Sequence, residues 1–253
     1  MFPYHDENET QRTPVVTIAL IAVTVFTWVL VQGAGATVPL ASSVCNLGLI
    51  PGELTASLPP GTPFPMGERL VCLTDPGRQP WNLITSMFLH GSWMHLLGNM
   101  WFLWLFGNNV EDSMTRARFL AFYLLTGFGA AFAQIFANPT SEIPMVGASG
   151  AISGIMGAYL VLFPRVRVYT LLPLGFFMTT IELPAWAMLI YWAFLQFVGG
   201  LGSIFAEQGG GVAFWAHLGG FVAGVVLVKL FARRDRVMAH LSHHYRPRRV
   251  GWE

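Results

Sequence analysis

Charge is what this 253-residue chain has least of: Asp, Glu, Lys and Arg together make up 11% of it, against about 25% in a soluble domain of ordinary composition. With 54% hydrophobic residues, a soluble globule is excluded and a chain that crosses a membrane several times is expected. The net charge of +1 gives no footing for nucleic-acid binding. Cysteine is nearly absent as well. Cys45 and Cys72 both fall in the first long loop, where they either pair in an oxidising compartment or stay free and buried. Also missing is a cleavable signal. Asp6, Glu7 and Glu9 stand against a single Arg12, and the apolar run that follows is long enough to span. No internal repeat of the kind that marks an alternating-access transporter is visible.

What is present is a series of apolar runs. Pro14 sits where a helix tolerates it and opens span 1, through Val31. A loop of about fifty residues, rich in proline, reaches Trp81; a connection this long is expected to hold short interfacial helices in or on the bilayer. Span 2 covers about Leu83 to Phe106, interrupted near His90, Gly91, Ser92 and His95. Span 3 runs from about Phe119 to Phe136, span 4 from about Val146 to Phe163, span 5 from about Ala185 to Ile204 and span 6 from about Val212 to Phe231. Tyr169–Thr180 is apolar but broken by Pro173 and Gly175, so an interfacial segment is expected there. Glu111 and Asp112, with Arg116 and Arg118, read as a loop cap. Glu207 and Gly209–Gly211 read as the loop before span 6.

Six spans put both termini on one side. That side then receives Arg12, Arg116, Arg118, Arg165, Arg167, Lys229, Arg233, Arg234, Arg236, Arg246, Arg248 and Arg249, leaving Arg69 and Arg78 opposite. The bias of basic residues assigns the termini to the cytoplasm. The organisation is therefore a cytoplasmic N-terminal tail (1–13), a six-span membrane domain (14–232) and a basic cytoplasmic tail (233–253) read as exposed or disordered.

The polar residues inside the spans carry the chemistry. MVGASGAISGIMGAY, Met145–Tyr159, has small residues at helical intervals, with Ser149, Ser153 and Gly157 on one stripe. Such a face lets another helix approach closely. Ala216, Gly220 and Gly224 form a matching stripe on span 6, which also carries His217. Spans 4 and 6 run in the same direction, with Ser149 about three residues in and His217 about five. Both then lie within roughly ten ångströms of the outer helix ends. A serine needs an adjacent base to attack a carbonyl, and an imidazole can take that proton and return it to a leaving amine. No acidic residue lies on these helices at that depth, so a dyad is expected rather than a triad. Packing alone is the competing reading of both stripes.

His95 and Asn99 lie four apart on one face of span 2. Both can donate hydrogen bonds, as can the Ser149 and Gly150 backbone N–H groups near a helix N-terminus, and an oxyanion hole needs such donors. Interhelical bonding for assembly is the alternative. His90 lies off that face, at the loop–helix boundary, with a structural role. The HExxH zinc pattern is missing and His90-x4-His95 is the wrong spacing for two ligands on one helical face, so no metal site is expected. Gln196 bonds across spans or faces a substrate entrance, without a part in the chemistry.

Three motifs in this order resemble the rhomboid family of intramembrane serine proteases: GASG around Ser149, the His90–His95–Asn99 series, and AHxxGxxxG from Ala216 to Gly224. The turn Gly107-x3-Glu111-Asp112 and the pattern Trp192-x3-Gln196 extend the likeness over nearly the whole chain. The resemblance implies an all-α, six-transmembrane-helix bundle with a long membrane-embedded first loop. It implies Ser149 as nucleophile, His217 as general base, His95 and Asn99 as oxyanion donors, His90 as a structural histidine, and Gly220 and Gly224 at the contact of spans 4 and 6. Substrates would be single-span membrane proteins cut within or near the span, at a site open to the extracytoplasmic side of the plasma or inner membrane, without cofactor, metal or ATP. Span 5 and the loop before span 6 match the family's proposed substrate gate and cap. Ser153 stands where the family often has an aromatic residue stacked on the histidine, and the first loop lacks the Trp-Arg pair of many members. A catalytically silent relative that binds membrane clients and a small-solute transporter are the competing classes.

Overall fold

The computed structural model describes residues 2–66, 70–174, 177–205 and 212–244. Arg69, Gly175, Glu207, Gly209–Gly211, Arg246, Arg248 and Arg249, all invoked above, lie outside the described residues.

The chain begins with a strand, β1 (Phe2–Asp6), followed by α1 (Val15–Leu30). Helix α1 starts after Pro14 and is capped from another element: the Glu111 carboxylate accepts the N–H groups of Val16 (2.9 Å) and Thr17 (2.7 Å) and the Thr17 hydroxyl (2.8 Å). The carboxylate satisfies donors that a helix start leaves orphaned and places negative charge at the positive end of the helix dipole. Glu111 therefore holds α1 in place rather than closing its own loop with Arg116 and Arg118.

The described part of the first long loop carries regular structure. It contains α2 (Thr37–Leu47), the single turn α3 (Pro51–Leu54) and an antiparallel pair, β2 (Pro63–Pro65) with β3 (Val71–Leu73). Cys45 and Cys72 form a disulfide, Cα atoms 5.7 Å apart, that ties α2 to β3. Paired backbone bonds between Leu49 and Met145 (3.0 and 2.8 Å), and Gly52 N–H to Ser141 O (3.0 Å), bind this loop to the segment leading into the serine helix.

Expected span 2 is broken in the structure. The short α4 (Asn82–Thr85) and a 3-10 turn precede the break, and α5 (Trp93–Asp112) carries the rest, six residues further than expected at its far end. The break is set by Ser92, which is extended (φ −164°) and accepts the His95 N–H at 3.1 Å, capping α5. Helices α6 (Arg116–Ala137), α7 (Ser149–Leu162), α8 (Ala185–Phe205) and α9 (Phe214–Phe231) follow. Among the described residues, α6, Ala185–Ser203 of α8, and α9 are long and apolar enough to cross a membrane; α1 and α7 are apolar but shorter. Phe136 (90% exposed) and Leu230 (73%) project outward with many other apolar side chains, a surface suited to hydrocarbon. The protein is a polytopic, helical membrane protein.

Helix α7 is the axis of the bundle. Every residue from Gly150 to Tyr159 is buried, as a helix apolar all round must be. Its close partner is α9. A Cβ on Gly220 would collide with the Gly150 carbonyl, and one on Gly224 with the Gly154 carbonyl, so these two backbones touch only because side chains are missing there.

The all-α expectation needs correction. Between α7 and α8 the chain forms a hairpin, β4 (Arg167–Leu174) and β5 (Phe177–Pro184), where an interfacial segment was expected. Strand β1 adds to it, giving an antiparallel sheet in the order β1-β4-β5, with Phe2 opposite Leu171 and Asp6 opposite Val168. The N-terminal residues are thus no loose tail. Nor is the start of the basic segment: α10 (Arg234–His244) places His240, 2% exposed, between Asn8 Oδ1 (2.5 Å) and Asp112 Oδ2 (3.3 Å). A local polar composition hides such a helix, because its anchor lies more than a hundred residues away.

Candidate active site

Ser149 is the first residue of α7, not three residues inside it. Gly147 (φ +129°) sets that start, and its N–H donates to Ser86 O at 2.9 Å. This φ belongs to a region that side-chain-bearing residues avoid. A Cβ there would also lie 2.8 Å from His95 Nε2 and 3.5 Å from Ser149 Oγ. Glycine at 147 is therefore what lets the His95 ring and the serine hydroxyl share one small space.

The α7–α9 contact brings Ser149 to His217, the fourth residue of α9. Ser149 Oγ and His217 Nε2 stand 2.8 Å apart. On the other side of the ring, His217 Nδ1 stands 2.8 Å from Gln196 Oε1 on α8. An amide oxygen only accepts, so Nδ1 carries the ring proton and Nε2 is free to accept from the serine hydroxyl. The start of α9 is itself held by Gln134 of α6, whose Oε1 accepts the Ala216 N–H at 3.2 Å.

His95 and Asn99 face the same space from α5. His95 Nδ1 accepts the Gly91 N–H at 3.4 Å, which leaves Nε2 as the protonated, donating nitrogen. Asn99 is buried, and its Nδ2 has no hydrogen-bond partner among the described residues. Two donors thus face a cavity of about 770 Å³ that His95, Asn99, Ser149, Ser153, Gln196 and His217 help to line. No carboxylate lines it among the described residues.

His90 is outside the cavity. Its ring is fully buried and packs edge-on against His95, centroids 4.9 Å apart. Its backbone is gripped by Gln32, which donates to His90 O and accepts the His90 N–H, each at 2.8 Å. Ser153 turns back on its own helix, its hydroxyl donating to Ser149 O at 2.6 Å. The aromatic partner of the histidine comes instead from α8: the Trp192 ring lies 6.1 Å from that of His217 at 35°. Sequence reasoning missed Gly147 and Gln32 and set Gln196 aside. The four-residue spacing of Trp192 and Gln196 was the available signal for one shared face.

A helical membrane bundle that holds a half-buried serine–histidine pair at the edge of a cavity is the class of protein these features define. The chain belongs to the rhomboid family: the family model described as the Rhomboid domain matches residues 77–234. Among curated relatives, RHOMBOID-like protein 5 of Arabidopsis thaliana is 36% identical over 80 residues, 32% of this chain and 26% of that protein. Rhomboid protein 1, mitochondrial, of Saccharomyces cerevisiae is 28% identical over 149 residues, 57% of this chain and 40% of that protein. Rhomboid protease GluP of Bacillus subtilis is 40% identical over 80 residues, 32% of this chain and 15% of that protein. The matches thus span less than half the length of these relatives.

Proposed function

We propose that this protein is an intramembrane serine endopeptidase that hydrolyses peptide bonds within or next to the membrane spans of single-span proteins. The observation that carries the reading is the 2.8 Å approach of Ser149 Oγ to His217 Nε2, with the Asn99 amide nitrogen buried nearby and without a partner among the described residues. In this reading His217 Nε2 takes the Ser149 proton as Oγ attacks the substrate carbonyl. The oxyanion is received by His95 Nε2–H, the Asn99 amide and the Ser149 and Gly150 N–H groups at the start of α7. Imidazolium then protonates the leaving amine, giving an acyl-enzyme. A water molecule, deprotonated by the same nitrogen, releases the acid and restores the hydroxyl.

In this reading the chain crosses six times, counting α1, the α5 segment and α7 with the three longer helices, and the distribution of basic residues supports cytoplasmic termini. The cavity then opens toward the extracytoplasmic side, and the first loop is embedded beside it. A substrate helix must unwind locally to present a carbonyl, which helix-weak residues make easier. The test is cleavage of a model single-span substrate by purified protein in liposomes. Wild type is expected to cut it, while Ser149→Ala and His217→Ala fold normally and do not. Full activity in either variant would reject the assignment.

A further inference from the structure

We propose that Gln196 is a positioning residue that completes a Ser149–His217–Gln196 relay, its side-chain carbonyl fixing the tautomer and ring plane of His217. The inference rests on the endopeptidase reading above and deepens it. Of the two imidazole nitrogens, one must be bare to take a proton from Ser149, so the other must hold one and needs an acceptor. Among the described residues, the acceptor that a neighbouring helix places there is Gln196 Oε1, at 2.8 Å. In serine hydrolases of the general triad plan a carboxylate fills that place. Here it is a neutral amide, which suits the site: an ionised carboxylate within an apolar bundle carries a desolvation cost that an amide does not.

Trp192, one helical turn before Gln196, packs on the same ring and on Phe221, with centroids 6.1 and 5.9 Å away. Helix α8 therefore holds the imidazole at an edge and over a face. Much of the rest of α8 points outward, with Trp186, Ile190, Phe194, Phe197 and Val198 exposed. The position of α8 and the orientation of His217 are thus one variable, and displacing α8 would release the base from its tautomeric constraint.

Simple tethering of α8 to α9 is the alternative, and three variants in liposomes separate the two. The readouts are kcat and KM on a single-span substrate and the rate at which a small fluorophosphonate labels Ser149, which needs no substrate helix to enter. Gln196→Leu is expected to lower kcat and the labelling rate at least tenfold with KM within twofold. Gln196→Glu, whose carboxylate oxygen accepts the same proton, is expected to recover most of that loss. Gln196→Asn, one methylene short, should lose as Leu does and carries the test where the Leu variant does not fold. Wild-type labelling by folded Gln196→Leu or Gln196→Asn, or a folded Gln196→Glu that recovers nothing, would overturn the proposal. Absence of labelling in the wild type, or labelling that persists in Ser149→Ala, would instead reject the endopeptidase reading itself.

Discussion

Tyr159 and Asp6 stand 153 positions apart in the chain and are joined by a 2.5 Å hydrogen bond, the phenol donating to Asp6 Oδ2. Asn109 Nδ2 donates to the same oxygen at 3.1 Å. One carboxyl thus gathers β1, α5 and α7 at a point ten residues along α7 from Ser149, about 15 Å of helical rise away. The clamp ties the end of α7 remote from Ser149 to β1 and α5.

The clamp makes stability depend on pH. Burial pushes the Asp6 carboxyl up to about 6, against the opposing pull of the Tyr159 hydrogen bond and of His5. An unfolded chain has the ordinary value of 3.8, so between the two the folded protein holds a proton that the unfolded one has lost. The contribution is complete below the ordinary value and is lost as pH rises through about 6. The loss should be on the order of 2–3 kcal/mol. In Asp6→Asn the amide oxygen accepts both donors without a charge. Thermal unfolding in detergent at about pH 4 and about pH 8 should show a larger fall for wild type than for the variant; equal falls would contradict the account.

The helix contacts around the serine were legible in the sequence because they are local: small residues four apart make a flat face whatever follows. Small-residue stripes were therefore visible on both spans, but the α7 residues that Gly220 and Gly224 meet are Gly150 and Gly154, and of the Ser149–Ser153–Gly157 stripe it is Gly157 that closes on α9. The sheet was not legible. Residues 2–6 become a strand only by pairing with β4 across more than 160 positions, and in the sequence a run broken at Pro173 reads the same for a local hairpin as for an interfacial kink. Gln196 was visible as a polar residue in a span, but its partner depends on the register of α8 against α9, which packing sets. Glu111 was visible as a cap, and the helix that it caps was not.

The oxyanion assignment makes a prediction about rate. Asn99 Nδ2 is buried without a partner among the described residues, which costs folding energy and leaves a donor free for a developing oxyanion. Asn99→Ala should therefore lower kcat about 100-fold with little change in KM, as loss of one oxyanion donor does elsewhere. Steady-state cleavage of a single-span substrate measures it. A variant that changed KM alone would place Asn99 in substrate binding instead.

The disulfide predicts a redox dependence. Cys45 and Cys72 close a loop with a sequence separation of 27, and a crosslink of that span contributes about 3 kcal/mol by restricting the unfolded chain. The loop is hydrogen-bonded through Leu49 and Gly52 to the segment before α7. Cys45→Ser with Cys72→Ser should lower the unfolding temperature, and added reductant should lower that of wild type to match. Wild type that melts alike with and without reductant would show that the pair does not support the fold.

The most demanding prediction concerns atoms that are missing. At Gly220 an added Cβ would meet the Gly150 carbonyl, part of a helix backbone that cannot turn aside as a side chain can. Gly220→Ala must push α9 away from α7, and overpacking of this kind costs about 1–3 kcal/mol. The same displacement moves His217, three residues earlier on α9, away from Ser149, and a hydrogen bond of 2.8 Å tolerates little lengthening before it is lost. Activity and stability should therefore fall together in Gly220→Ala and in Gly224→Ala. Gly202→Ala on α8, where an added Cβ meets nothing within 4 Å, is the matched control, since it makes the same chemical change in the same class of helix. Thermal unfolding and fluorophosphonate labelling of the three variants read both quantities. If Gly220→Ala labelled as fast as the control, the closeness of these two backbones would have no part in bringing the imidazole to the serine.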